Sequence, residues 1–216
     1  SEAASAKPVG EILRVGFVPP AIYGNLPGAV HNFVKANPDV LVNLKELTVP
    51  DAAMALMEGE VDVVVTVNHP SFTHVEGRER IQIHTLSVDY YQIFLSSTLE
   101  LDPNWEPTPE SMRQLSWILP VKESFTRGLL EDWFFRHGAA PPESFIEISP
   151  LTAAIEMLRT IPYAALLPST LARGNNFPHL VQVSTEAFAL PARLVIACKE
   201  SQLGRPTVEA FVKEVV

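Results

Sequence analysis

The chain has 216 residues, with 25 acidic against 16 basic side chains, a formal net charge of −9, 47% hydrophobic residues and one cysteine. It is too apolar and too modestly charged for disorder, it can bury one large core or two small ones, and it has no apolar run near the roughly 18 residues of a membrane span. One cysteine excludes a disulfide framework and a Cys-based zinc site and favours a reducing compartment, while a net negative surface repels phosphates and argues against a grip on nucleic acid by this chain alone.

Residues 1–11 show no basic-then-apolar signal pattern and read as a tag or linker remnant. Residues 13–18 form a buried strand that stops at Pro19-Pro20. Leu26, Val30, Phe33 and Val34 recur at helical spacing up to Asn37-Pro38, where the residue before proline leaves the helical region. Residues 40–47 alternate as a strand, Pro50 opens a helix that ends at Gly59, and 61–67 is a β-branched run suited to a strand of a parallel sheet buried on both faces. The same order returns: a short strand at 116–119, a helix capped by Ser124 and carrying Phe125, Leu129 and Trp133, and a strand at 145–148. A helix then opens at Ser149-Pro150, and a last strand runs over 163–167. Most of the 19 prolines punctuate these segments, and 101–112, rich in Pro and Glu, reads as a surface loop or short turn.

Two βαβαβ units of matching rhythm predict an α/β protein of two Rossmann-like lobes. Two further strand-like runs, 90–98 and 193–199, read as crossing hinge strands, and 206–216 as a final helix returning to the first lobe. The expected division is 12–89 with 200–216 as lobe 1, and 99–192 as lobe 2.

The catalytic motifs searched for are absent: no Gly-x-Ser-x-Gly elbow, no Walker loop, no Gly-x-Gly-x-x-Gly after a strand and no His-Glu-x-x-His. Cys198 sits in an apolar strand and reads as a small buried side chain. His69, His74 and Glu76 share a loop, but their spacing lacks a metal-binding rationale, so no metal is expected. Asp62 just precedes a buried strand and is expected to tie down the Gly59-Glu60 turn.

In open α/β sheets ligands bind beyond the carboxyl ends of the strands. Those ends carry Pro19, Pro20, Ala21, Thr66, Val67 and Asn68 in the first unit and Pro120, Ser124, Phe125, Ser149, Thr152 and Pro168 in the second, with Thr126, Ser169 and Thr170 close by. Any one Ser or Thr is explained by capping its own helix; the set points to a small-molecule cleft between the lobes. Uncharged donors and helix N-termini suit a carboxylate, and Arg127, in the first turn after Ser124, is a candidate cation for it.

Four stretches carry a resemblance to a known family: Leu13-Arg14-Val15-Gly16, Leu26-Pro27 with Phe33 and Asn37-Pro38-Asp39-Val40, Gly59-Glu60-Val61-Asp62-Val63-Val64-Val65, and Ala165-Leu166-Leu167-Pro168-Ser169. In order and spacing they resemble the effector-binding domain of LysR-type transcriptional regulators. The resemblance implies a type 2 periplasmic-binding-protein-like fold and a cytoplasmic sensor of a metabolite without enzymatic activity or cofactor. It also implies a homodimer or homotetramer, no membrane, and DNA contact only through an N-terminal winged helix-turn-helix outside these residues. The loop Pro19-Pro20-Ala21-Ile22-Tyr23 departs from the family in lacking the Ser or Thr that many members use for an anionic effector. Ile161-Pro162-Tyr163 replaces a frequent Gly-x-Gly turn, as in the branch associated with aromatic-acid and sugar-acid catabolism, so an aromatic or sugar acid is the implied ligand class. The alternative is a solute-binding protein of a transport system with the same fold; an enzyme ranks last.

Overall fold

The computed structural model describes residues 10–72, 80–183 and 188–216. The chain divides into two compact units, Ser1–Val88 with Arg193–Val216, and Asp89–Ala192. It passes from the first to the second inside strand β4 (Ile81–Ser96) and returns inside β9 (Leu190–Lys199).

In the first unit, β1 (Glu11–Phe17) is followed by a single-turn helix α1 (Pro19–Ile22), α2 (Leu26–Ala36), β2 (Val40–Glu46), α3 (Val49–Glu58) and β3 (Val63–Val67). The strands lie in the order β2-β1-β3-β9, with β1 parallel to β2 and β3, and β9 antiparallel to β3. The period of two along each strand divides the core. Leu13, Val15 and Phe17 of β1 and Val63 and Val65 of β3 face a cluster with Phe33 of α2 and Phe211 of α7 (Pro206–Val215). The Phe33 and Phe211 rings meet edge to face at 5.2 Å. Val64 faces the other way, against Ala52, Leu56 and Phe72. The apolar run at 61–67 therefore reflects burial on both faces, as expected, but in a mixed rather than a parallel sheet. Thr48 caps α3 by accepting from the Asp51 N–H, and Gly59 ends the helix at φ +76°, where a side chain would be strained.

In the second unit, α4 (Pro109–Arg113), β5 (Trp117–Pro120), α5 (Phe125–Arg136), β6 (Ser144–Ile148), α6 (Leu151–Met157), β7 (Ala164–Pro168) and β8 (Leu180–Gln182) follow one another. The strand order is β6-β5-β7-β4, parallel until β4, which runs antiparallel to β7 and also pairs with β8. Both units thus repeat one topology, second-first-third plus one antiparallel strand. Trp117, Leu119, Leu130, Phe134 and Leu166 are buried here, and Trp117 Nε1 donates to the Met112 carbonyl at 2.9 Å.

Three elements differ from expectation. The stretch expected as a loop or short turn contains α4, opened by a reciprocal Thr108–Ser111 capping box. Strand β4 starts at Ile81 rather than near Tyr90. Helix α6 begins at Leu151, with Pro150 in the cap position and no side-chain cap bond, so Ser149 does not cap it.

Candidate functional site

The carboxyl edge of the first unit is built from the ends of β1 and β3. Val18 N–H donates to the Val65 carbonyl at 3.0 Å, which holds the β1 exit against β3. Pro19 and Pro20 then open α1, and proline has no N–H to offer a ligand. Pro20, Ala21 and Val67 are buried. Thr66 is also buried, and its hydroxyl donates to the Val67 carbonyl at 3.5 Å. Asn68 is exposed, its backbone N–H donating to the Arg193 carbonyl at 2.8 Å. This edge is apolar, with Asn68 as its exposed polar group among the six predicted residues.

The carboxyl edge of the second unit is more polar. Ser124 caps α5 by accepting from Arg127 N–H at 3.1 Å; Phe125 is half-buried and starts the helix. Pro120 closes β5, Ser149 and Thr152 are exposed around the start of α6, and Pro168 is buried at the end of β7. Arg127 does not face solvent. It is 4% exposed, its Nε donates to Glu131 at 2.7 Å and its Nη1 to the Pro120 carbonyl at 3.3 Å, and Glu147 lies 3.6 Å away.

Two further residues join this edge, and sequence reasoning missed both. Asp89, 3% exposed, accepts from the Ser169 hydroxyl at 2.6 Å, the Thr170 hydroxyl at 3.1 Å and the Tyr90 N–H at 2.8 Å. Tyr91 pairs in register with Pro168, and its hydroxyl hydrogen-bonds Thr126 in the first turn of α5. Burial pushes the Tyr91 hydroxyl up to about 12, and the nearby Asp89 charge adds to the shift. The available signal was an acidic residue beside aromatic ones entering a strand; its side-chain partners Ser169 and Thr170 lie 80 and 81 positions away.

The other end of β3 holds a separate network. Asp62 takes three bonds from Arg14 and one from Arg205, while Arg14 Nη1 donates to the Gly59 carbonyl at 2.8 Å. Desolvation opposes the charge on Asp62, but the hydrogen bonds from Arg14 and Arg205 outweigh it and hold its carboxyl below the ordinary value. Arg205 also pairs with Glu11 at 2.7 Å, and Glu11 accepts from the Thr207 hydroxyl. Asp62 thus ties the turn at Gly59 through Arg14 and also fastens the start of α7 to β1.

Among the described residues no three His, Cys, Asp or Glu side chains cluster as metal ligands. His74 and Glu76 lie outside the described residues; His69 is half-buried, and desolvation lowers its pKa. Cys198 is buried, and desolvation pushes its thiol up, which disfavours the reactive thiolate. No helix among the described residues is long and apolar enough to cross a membrane.

The model of the LysR substrate binding domain matches residues 6–216. The chain belongs to the LysR substrate-binding domain family. A curated relative, a probable nitrogen assimilation transcriptional activator of Synechococcus elongatus, is 24% identical over 189 residues, which are 86% of this chain and 59% of that protein. The chain therefore spans about three-fifths of the length of that relative. Among solved structures, this LysR domain is similar to the CcmR regulatory domain of Synechocystis PCC6803 in complex with 2-PG, with TM-score 0.78, 15% identity and 95% of each chain covered. It is also similar to the cofactor-binding domain of the Cbl transcriptional regulator, with TM-score 0.77, 16% identity, and coverage of 100% of this chain and 91% of the other. The BenM effector binding domain with its effector benzoate matches at TM-score 0.66 and 17% identity, over 96% and 91% of the two chains. At these identities the likeness establishes the fold, type 2 periplasmic-binding-protein-like, as the resemblance implied.

Proposed function

We propose that this LysR domain senses a small-molecule effector for a DNA-binding transcriptional regulator. The observation that carries the reading is the family match running from residue 6 to residue 216. The effector residues proposed are Pro19, Pro20, Ala21, Thr66, Val67 and Asn68 in the first unit and Pro120, Ser124, Phe125, Ser149, Thr152 and Pro168 in the second, all at or beside the carboxyl ends of strands. The reading includes residues 90–98 and 193–199 as the hinge. An effector that binds one arrangement of the hinge better than another shifts the population towards it, and that differential affinity is the signal. The chain performs no catalytic step in this reading, works in the cytoplasm as a homodimer or homotetramer, and reaches DNA through a segment other than these residues. The test is a melting-temperature screen of the purified chain against small metabolites. At least one stabilises it at saturating concentration, and the stabilisation is lost on substitution of Ser124 or Asn68. If no metabolite stabilises the chain, the reading fails.

A further inference from the structure

We infer that Arg193, opposite Asn68 at the carboxyl edge of the first unit, holds the charged group of a carboxylate ligand. The inference rests on the effector-sensing reading above, adds a residue to it and names the charge of the ligand.

Strands β3 and β9 pair antiparallel, with Val67 opposite Leu194 and Thr66 opposite Val195. Asn68 and Arg193 take the next position of that register, where the Asn68 N–H donates to the Arg193 carbonyl at 2.8 Å. Directly opposite residues of an antiparallel pair share a face, with Cβ atoms roughly 4.5–5.5 Å apart. On this face the preceding pairs, Val64 with Ala197 and Thr66 with Val195, are buried. Asn68 and Arg193 are both exposed. The register therefore presents an amide and a guanidinium together at the end of β3, where open α/β sheets bind their ligands.

The two charged residues of β9 are used differently. Lys199 donates to the Met57 carbonyl at 2.7 Å, near the end of α3. Arg193 is in ion-pair contact with no carboxylate among the described residues. Its planar fork of N–H donors matches a carboxylate in a bidentate pair, and the Asn68 amide adds donors beside it. The chain carries a net charge of −9, so an anion is held only where a local cation outweighs that field. One guanidinium suits a single negative charge, a carboxylate rather than a phosphate dianion. Arg127, the cation that the sequence suggests, is buried against Glu131 and the Pro120 carbonyl. Pro19 and Pro20 remove N–H donors from the start of α1, which leaves this pair to supply polar contacts on the first edge. Arg193 is also the residue at which the chain returns to the first unit, so a ligand held there bears on the strand read as a hinge.

Calorimetric titration of the purified chain at neutral pH, with a library pairing each carboxylic acid with an uncharged partner, tests the assignment; benzoate with benzamide and gluconate with sorbitol are such pairs. At least one acid is expected to bind, its neutral partner about tenfold or more weaker, the value of a charge-assisted hydrogen bond. Arg193→Gln, at an exposed position that leaves the fold intact, is expected to weaken the acid by a similar factor. Arg193→Lys keeps the charge but loses the fork and is expected to recover only part of the affinity. Lys122→Gln removes an exposed cation from the β5–α5 turn of the second unit and is expected to leave the affinity unchanged. A neutral partner that binds as tightly as its acid, an acid whose affinity survives Arg193→Gln, or an equal loss in Lys122→Gln overturns the inference and leaves the sensing reading intact. Inorganic phosphate that outbinds every acid overturns the carboxylate assignment. A library of which no member binds overturns both.

Discussion

Arg14 and Asp62, 48 positions apart, are joined by three hydrogen bonds: backbone N–H at 2.8 Å, Nε at 3.2 Å and Nη2 at 2.8 Å. The Gly59-Glu60-Val61-Asp62 segment is thereby a clasp between the entrance of β3 and the middle of β1, at the end of the strands away from the candidate effector edge. Replacing Asp62 by Ala leaves the Arg14 N–H without its acceptor and takes one acceptor from each of the Arg14 and Arg205 guanidinium groups, which keep Gly59 and Glu11. The expected cost is about 2 kcal/mol, below the range for a fully buried pair because the Arg14 side chain is 45% exposed. Urea unfolding of the variant measures it.

The same network sets an acid limit. Glu11 is held below its ordinary value by the hydrogen bonds from Thr207 and Arg205, and Asp62 is held there by Arg14 and Arg205 against desolvation. Carboxyls with depressed folded values contribute stability that is present above the ordinary carboxylate range and lost as pH falls through the folded values. The melting temperature is expected to decline below about pH 4, and Asp62→Asn to decline less over the same interval. Scanning calorimetry across the acid range distinguishes the two profiles.

Gly16 has no room for a side chain. A Cβ there lies 2.7 Å from Leu47 Cδ1 and 3.0 Å from Val64 Cγ1. Gly16→Ala is expected to cost about 1–3 kcal/mol through overpacking. Leu47→Ala in the same chain recovers part of that loss, since it removes the nearer atom, and a double-mutant cycle in denaturant reads the coupling.

Tyr91 sets an alkaline limit. Its hydroxyl is pushed up to about 12 in the folded chain, whereas the unfolded residue ionises near its ordinary value of 10.0. Stability is therefore lost as pH rises above the unfolded value, and Tyr91→Phe flattens that loss. Absorbance titration reads the same group directly, as a tyrosine that ionises well above the ordinary range.

Much of the fold was legible because it repeats. Strand, proline and helix alternate with similar spacing in both units, and local signals such as Ser124 as a cap and Gly59 and Gly138 in the left-handed region mark the helix ends. The start of β4 was not legible: residues 81–88 are largely half-exposed or exposed, so the strand lacks the apolar run that marks β3. At the candidate edge, strand ends could be read but hydrogen-bond partners could not. Arg127 reads as an available cation from its place in the first turn of α5, and only the fold brings Glu147 beside it. Asp89 was not singled out in the sequence, because the Ser169 and Thr170 hydroxyls reach it only through the fold, from just beyond the end of β7.

The two units differ in how they are assembled from the chain. The second is one continuous segment, whereas the core of the first joins Leu13 and Val15 to Ile196, Val208, Phe211 and Val212. On the ribosome, residues 89–192 emerge complete while the first unit still lacks one wall of its core. The apolar faces of β1 and β3 stay uncovered on that side until α7 follows. Removal of α7 is therefore expected to destabilise the first unit, whose core it completes, before the second.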